Sequence, residues 1–405
     1  MNAPLDLTFL AGRRVHLGVC GSIAAYKAIE LMRLLQKSRL TVSVGLTRAA
    51  REFISPLSFE SLDASTVYTE MFSPEDGQPF GHLTPGAVTD AFVIAPATAT
   101  TMARLAAGLA DEILSAQALA FPKPLVLAPA MNPRMWSNPA TQANIQTLQE
   151  RGHHFVLPAS GLVACGEDGQ GKLADLWDIY LATLRALSPQ DLAGKTIMVT
   201  LGPTQELWDG VRCWTNLSTG RMGASIVEAA YLRGARVIAL AGPGVPRLPA
   251  PVERHNVTSA KDMFDAAQEV WPEADAGVFA AAVADFSPVP QGSGKFKKLG
   301  AGETIQVSFS ANRDILATLS ASRKGHQKVI GFAAETSDLE TNVTAKLERK
   351  KADMIVGNLV GQTDSGFGGS RNTVLIKDAG GRSEAWPALS KGDVGWRIFD
   401  WLLTL

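Results

Sequence analysis

At 405 residues, 46% hydrophobic and 19% charged with a formal net charge of −1, the chain has the make-up of an ordinary globular protein of roughly two to three domains. That balance excludes the strongly basic surface of a nucleic-acid binder, and no uncharged apolar run is long enough to span a bilayer. The opening MNAPLDLTFLAG carries an acid and no basic flank, against a secretory signal, while Cys20, Cys165 and Cys213 are odd in number and far apart, against a disulfide framework or a zinc site; the expected location is a reducing cytoplasm.

From there, short β-rich runs alternate with Ala/Leu-rich amphipathic stretches. RRVHLGV predicts a strand, SIAAYKAIELMRLLQKS a helix and TVSVGLT a second strand. DAFVIAP, followed by the helical TATTMARLAAGLA, then PLVLAPA and HHFVLPA continue the series. Such alternation is the mark of parallel, doubly wound sheets. The APA endings at 95–97 and 128–130 put two loops beyond the carboxyl ends of strands, where these sheets bind ligands. Ser188 and Pro189 break a helix expected to begin near Leu173, and the alternation restarts at Lys195 with KTIMVTLG, ARVIALAGPG, AGVFAAAV, KVIGFAAET, DMIVGNL and NTVLIKD. The expected fold class is α/β, with two doubly wound (Rossmann-like) domains over 1–189 and 190–405.

Several turns carry candidate chemistry. In GVCGSIAAYK, Gly21 permits close backbone approach, and Ser22 and Ile23 open a helix whose free N–H groups attract an anion; a plain capped turn reads the same. The third glycine of a dinucleotide fingerprint is missing, and the second strand ends in Thr47 rather than in an acid for a ribose, which suits a phosphate or flavin. Thr98, Ala99, Thr100 and Thr101 form another strand-to-helix turn, which N-capping alone would also explain. Asn132 in APAMNPRMW offers an amide to a carboxylate or amide, and His82 precedes a Pro/Gly break, although a lone histidine is usually surface or core filler. Cys165 sits among Gly166, Gly169 and Gly171, in a tightly turned or mobile loop rather than a core.

The second half offers a Gly-rich turn at Ser218, Thr219, Gly220 and Gly223, either a simple βα turn or a phosphate cradle, with no Walker motif. Asp285 follows an apolar strand, with Lys295, Lys297 and Lys298 beyond it: a carboxylate for Mg2+ and lysines for phosphate oxygens, or a solvated charge run. Lys346 and Lys350 share one face of a predicted helix, ordinarily a wet one.

Taken together, GSIAAYK, FISPLSFESL, GHL, APATA, PAMN and ACGEDGQGK resemble, in this order, the flavin-containing cysteine decarboxylases from about Arg14 to Leu187. From about Leu192 to Trp401, DGVRCWTNLSTGRMG, AAVADF, KFKK, RDIL, GFAAET and KLERKKAD resemble the ligase half of the bifunctional phosphopantothenoylcysteine decarboxylase/phosphopantothenate–cysteine ligases of coenzyme A biosynthesis. The resemblance implies FMN held by Gly21, Ser22, Ile23, Thr47, Thr98, Ala99, Thr100 and Thr101. It makes His82 the active-site histidine, puts Asn132 at the substrate carboxylate and makes Cys165 the proton donor, carried on a glycine-rich flap that closes over the intermediate.

For the second half it implies a ligase using 4'-phosphopantothenate, L-cysteine and CTP. Phe279, Ala280, Ala281, Asp285, Lys295, Arg313, Asp314, Ile315, Leu316, Phe332, Lys346 and Lys350 would contact CTP, Asp285 would also take Mg2+, and Asn216 would stabilise an acyl-cytidylate. It further implies homo-oligomers, with trimeric contacts in the first half that can build a dodecamer and dimeric contacts in the second. Gly210, Arg221 and Arg313 depart from the proline, lysine and proline usual in the family. A flavin- or nicotinamide-dependent oxidoreductase is the rival reading, disfavoured by the missing dinucleotide fingerprint. A catalytically inactive regulatory relative would have lost His82 or Cys165, and both are present.

Overall fold

The computed structural model describes residues 4–72, 80–297, 304–359 and 369–405. They fall into two compact units, Met1–Pro189 and Gln190–Leu405. In the first, β1 (Arg14–Val19), β2 (Thr41–Leu46), β3 (Val67–Tyr68), β4 (Ala91–Ala97), β5 (Val126–Pro129) and β6 (His154–Phe155) form one sheet in the order β3-β2-β1-β4-β5-β6. Every pairing in it is parallel. Every residue of β4 is buried, as expected of a strand covered on both faces. The order reverses between β1 and β4, so the loops leaving these two strands diverge and open a crevice between them.

Cys20 and His16 both lie inside that core. Cys20, at the end of β1, is buried, and burial pushes its thiol up to about 11, so it is an inert packing group. His16, mid-strand in β1, sits 2.8 Å from Ser43 Oγ through Nδ1 and 3.0 Å from Gln117 Oε1 through Nε2. Room for the pair comes from Gly45, where a Cβ would stand 2.8 Å from Gln117 Oε1. Burial lowers the His16 pKa to about 4, with the Gln117 hydrogen bond opposing. The unfolded chain therefore takes up a proton here near pH 6.5 while the folded chain does not. Stability is lost as pH falls from 6.5 towards 4, by up to about 3 kcal/mol. His16→Gln should flatten that slope; unfolding midpoints of both proteins across pH 4 to 7 check it, and parallel profiles would refute it.

The antiparallel hairpin β7 (Ala159–Leu162) and β8 (Asp168–Lys172) stands outside this sheet. The helix after it starts at Leu176 rather than near Leu173, because Asp175 accepts the Trp177 N–H at 2.9 Å and caps it. It ends at Leu187, just before Ser188 and Pro189.

The second unit contains β9 (Thr196–Leu201), β10 (Gln205–Leu207), β11 (Cys213–Thr215), β12 (Arg236–Ala241), β13 (Glu253–Asn256), β14 (Ala276–Phe279), β15 (Phe286–Pro288), β16 (Phe309–Ala311), β17 (Lys328–Glu335), β18 (Met354–Leu359), β19 (Arg371–Asp378) and β20 (Ser383–Ser390). Eight form a sheet ordered β13-β12-β9-β14-β17-β18-β19-β20, parallel as far as β18. Again the order reverses, here between β9 and β14. The NTVLIKD run is not a further parallel strand: β19 lies antiparallel to β18, and β20 turns back on it. Its burial alternates through Asn372, Val374, Ile376 and Asp378, the pattern of an antiparallel strand with one covered face.

Arg233 joins the two ends of this unit. Its guanidinium, 2% exposed, donates to both Asp191 carboxylate oxygens at 2.9 and 2.6 Å, to Asp400 at 2.6 Å and to the Trp396 carbonyl at 2.9 Å. It also lies 5.0 Å from the centre of the Trp396 ring.

Candidate active sites

At the reversal point of the first sheet, a cavity of about 270 Å³ is bounded by the ends of β1, β2 and β4. Gly21, Ser22, Thr47 and Thr98 to Thr101 all line it. Ser22 Oγ accepts the Ala24 N–H at 3.3 Å and Thr47 Oγ1 accepts the Ala50 N–H at 3.1 Å. Each of these hydroxyls therefore caps a turn and still has its proton to donate to a ligand. Thr98 caps the helix Ala99–Ala107, accepting from Thr101 N at 3.4 Å and lying 3.2 Å from Thr101 Oγ1. The capping reading of these turns is satisfied, and the same hydroxyls line the cavity.

The sequence reading missed two charged lining residues, Arg104 and Glu112. Glu112 accepts the Arg48 N–H at 2.8 Å and an Arg104 N–H at 3.1 Å, tying the loop after β2 to the helix after β4. Neither sits in a motif that marks it. A lining that combines hydroxyl-bearing strand-to-helix turns with Ala130, Met131 and Met135 suits a phosphate-bearing, flat aromatic cofactor.

A second cavity, of about 380 Å³, shares Ser22, Ala130 and Met131 with the first. Ile23 lines this one rather than the first, together with Asn132 and Cys165. Cys165 occupies the turn between β7 and β8, where Gly166 takes a φ of +83° and donates its N–H to the Val163 carbonyl at 2.9 Å. The Asn132 amide nitrogen donates to Cys165 Sγ at 3.2 Å, while Asn132 Oδ1 accepts the Arg134 N–H at 2.8 Å and caps the turn Pro133–Ser137. Arg134 pairs with Glu167 on the hairpin through two N–H groups, and this pairing holds the Glu167 carboxyl below its usual range. Met131 N–H donates to Gly171 O at 2.9 Å, and a Cβ at position 171 would fall 2.3 Å from Met131 O. Gly169 and Gly171 let the hairpin lie directly on the Asn132 loop, whereas Gly166 meets no neighbour and serves its positive φ.

His82 lines neither cavity. It is half-buried, and its Nδ1 is a buried atom with no hydrogen-bond partner among the described residues. The preceding residue is fixed, since Gln117 Nε2 donates to the Gly81 carbonyl at 2.9 Å.

In the second unit the residues after β14 are laced to the end of β9. Ala280 N–H donates to Thr200 O at 3.1 Å, Ala282 N–H to Gly202 O at 2.9 Å and Ala284 N–H to Thr204 Oγ1 at 3.0 Å. Asn216 Nδ2 donates to the carbonyls of both Ala282 and Val283 at 3.1 Å. Asn312 holds the far side, donating to Ala284 O and Asp285 O at 2.8 Å each. This segment ends in the exposed Asp285.

Lys350 forms an ion pair with Asp314, and Lys346 is pushed down by burial against the pull of Glu335 and Asp285. Asp285, Asp314, Lys346 and Lys350 are thus brought to one place. Ala281 and Phe332 are half-buried, whereas the side chains of Phe279, Ile315 and Leu316 belong to the core, leaving only their main chain for a ligand. Arg313 stacks 5.1 Å from the Phe264 ring centre, so this departure from proline has a packing role of its own. Lys295 is exposed, and Lys298 lies outside the described residues.

The sequence reading passed over Asp209. Burial would raise its carboxyl, but the N–H groups of Val211, Phe296 and Arg212, with the Arg212 charge, hold it below its ordinary value. Asp209 thereby fixes the residue next to Lys295. Gly210 has a physical reason too, since a Cβ there would meet Ser293 O at 2.2 Å. Among the described residues no group of three or more His, Cys, Asp or Glu side chains could hold a metal ion. Asp285 as a single carboxylate does suit Mg2+, which draws its remaining ligands from nucleotide phosphates and water.

Comparison with known proteins gives two family matches: "Flavoprotein" over residues 7–188 and "DNA/pantothenate metabolism flavoprotein C-terminal domain" over 192–405. The coenzyme A biosynthesis bifunctional protein CoaBC of Vibrio vulnificus (strain CMCP6) is 37% identical over 396 residues, 98% of each chain. The protein of the same name from Bacillus subtilis (strain 168) is 38% identical over 400 residues, again 98% of each chain. Among solved structures, the C-terminal domain of a CoaBC protein is similar at 34% identity with a TM-score of 0.45, covering 53% of this chain and 97% of that one.

Proposed function

The chain belongs to the family of bifunctional proteins of coenzyme A biosynthesis, enzymes that pair a decarboxylase with a ligase, and from that premise we propose a role for each unit. Residues 190–405 join L-cysteine to 4'-phosphopantothenate at the expense of CTP. Residues 1–189 then decarboxylate the 4'-phosphopantothenoylcysteine so formed to 4'-phosphopantetheine. The observation that carries this reading is the contact of the Asn132 amide with the Cys165 thiol in a cavity adjoining the hydroxyl-lined one.

In the first unit, Ser22, Thr47 and Thr98 to Thr101 would hold FMN, with Gly21 and Ala99 contributing main chain and Ile23 standing on the substrate side. Bound FMN would supply the electron sink that departure of a carboxylate requires. Asn132 orients the substrate carboxylate and Cys165 Sγ–H gives a proton to the decarboxylated carbon skeleton, away from water, while His82, which lines neither cavity of its own unit, would serve as an acid–base group from a second copy in the proposed trimer.

In the second unit, the phosphopantothenate carboxylate attacks the α-phosphorus of CTP and pyrophosphate leaves. The cysteine amine then attacks the acyl-cytidylate carbonyl, and CMP departs. Asp285 with Mg2+, and Lys295, Lys346 and Lys350, balance the phosphate charge, while Asn216 serves the acyl intermediate. The main chain of Phe279, Ala280, Arg313, Asp314, Ile315 and Leu316, with Ala281 and Phe332, completes the CTP pocket.

We place the enzyme in the cytoplasm, in keeping with Cys20, Cys165 and Cys213 as free thiols. Among the described residues no helix is long and apolar enough to cross a membrane. Trimeric contacts in the first unit, up to a dodecamer, are supported by exposed Ile23, Tyr26, Phe53 and Leu57, and dimeric contacts are assigned to the second.

The test is purified protein with FMN, phosphopantothenate, cysteine and each nucleotide in turn, measuring CO2 and pyrophosphate. Equal release of both, with CTP preferred, supports the reading; oxidation of a nicotinamide cofactor without CO2 favours the oxidoreductase. Within that assay, Lys295→Gln should weaken CTP binding roughly ten- to a hundredfold, the worth of a charge-assisted hydrogen bond. Unchanged CTP affinity would remove Lys295 from the site.

A further inference from the structure

The 380 Å³ cavity of the first unit carries two charges that the roles above do not use. Lys27, half-buried, begins the helix Lys27–Lys37, and Lys172 ends β8; both line the cavity that holds Asn132 and Cys165. Neither ammonium has a carboxylate partner among the described residues, and no Asp or Glu lines the cavity. Most of the remaining wall is apolar, including Ile23, Leu162 and Leu173. Lys27 is half-buried and Lys172 exposed; two cations at the wall of a carboxylate-free, largely apolar cavity, the first already partly desolvated, favour an anion brought in by a ligand.

A single carboxylate, already met by the Asn132 amide, does not need both lysines. A phosphate monoester carries nearly two negative charges at neutral pH and several acceptor oxygens. We infer that Lys27 and Lys172 form the recognition site for the phosphate at the far end of the decarboxylase substrate, and so set its preference for a phosphorylated over a dephosphorylated chain. The inference rests on the decarboxylase reading of the first unit.

The two lysines sit on different parts of the fold. Lys27 belongs to the body of the unit, whereas Lys172 belongs to the hairpin whose turn carries Cys165. A phosphate held by both draws the hairpin onto the body and places the thiol. Binding energy from a remote, unreactive group is thereby spent on the reacting end, so its loss lowers kcat as well as raising KM.

The experiment uses the full-length FMN-loaded protein with 4'-phosphopantothenoylcysteine and its dephosphorylated counterpart, in wild type, Lys27→Met, Lys172→Met and Lys172→Arg. Wild type should favour the phosphorylated substrate in kcat/KM by roughly a hundredfold. In each Met variant that ratio should shrink at least tenfold, with kcat on the phosphorylated substrate reduced, and Lys172→Arg should restore most of it. Equal losses on both substrates, or a wild type that does not discriminate, would overturn the assignment. A wild type that releases no CO2 from the phosphorylated substrate instead overturns the decarboxylase reading, and the assignment with it.

Discussion

Cys165→Ser should bind FMN and release CO2 as wild type does, yet form 4'-phosphopantetheine roughly 10²- to 10⁴-fold more slowly, the usual worth of a positioned general acid. Serine preserves the size of the side chain and can keep the Asn132 contact, made at 3.2 Å in the native protein. What it lacks is acidity, since a hydroxyl gives up its proton far less readily than a thiol. The defect should therefore fall after carbon dioxide has gone, with an unsaturated thiol accumulating in place of the reduced product. The Arg134–Glu167 pair and the Met131–Gly171 hydrogen bond are untouched, so the hairpin should stay seated. Pyrophosphate release by the second unit serves as the internal control. Mass analysis of quenched reactions distinguishes the outcomes, and normal yield of 4'-phosphopantetheine would remove Cys165 from the reaction.

Asn216→Asp should lower ligation by a factor on the order of 10²–10³, comparable with the loss of one preorganised donor at a reacting centre. The Asn216 amide nitrogen donates to the Ala282 and Val283 carbonyls, which fixes the amide beside the segment leading to Asp285. An aspartate would set carboxylate oxygens against those two carbonyls with no proton to offer. The segment leading to Asp285 would be pushed away, and the added charge would oppose an already anionic intermediate. Because Asn216 is exposed, the thermal midpoint should hardly move. CO2 release from supplied 4'-phosphopantothenoylcysteine should persist. The measurement is pyrophosphate formation from CTP and phosphopantothenate without cysteine; a wild-type rate there would show that the asparagine has no part in activation.

The architecture was legible where residues are buried on both sides. RRVHLGV, DAFVIAP and KTIMVTLG are largely apolar, β-rich runs because their strands lie at the centre of sheets, and this makes the two-unit plan readable. The edge of the second sheet was not. In β20 most side chains are exposed and Pro387 interrupts the run, so no apolar pattern announces a strand. The three-residue strands β10, β11, β15 and β16 are too short to show any period.

At the sites, the glycine and hydroxyl turns could be read because strand-to-helix turns restrict which residues fit. Glu112 and Asp209 could not, since each works through a partner distant in sequence: Glu112 reaches the Arg48 N–H and Asp209 the Phe296 N–H, while Arg104 is marked only by its pairing with Glu112. Asn216 was legible as a site residue, but its engagement of two loop carbonyls emerges only when β9 and β14 lie side by side.

The Arg233 clasp bears on how such a two-part chain can be assembled at all. Asp191 stands at the entry to the second unit and Asp400 in its final helix, and one guanidinium holds both. Entry and exit are neighbours in space, like the two ends of a closed necklace. A module of that form can be appended to another protein at either terminus, or cut open at a surface turn and resealed through a short linker, without stretching its sheet.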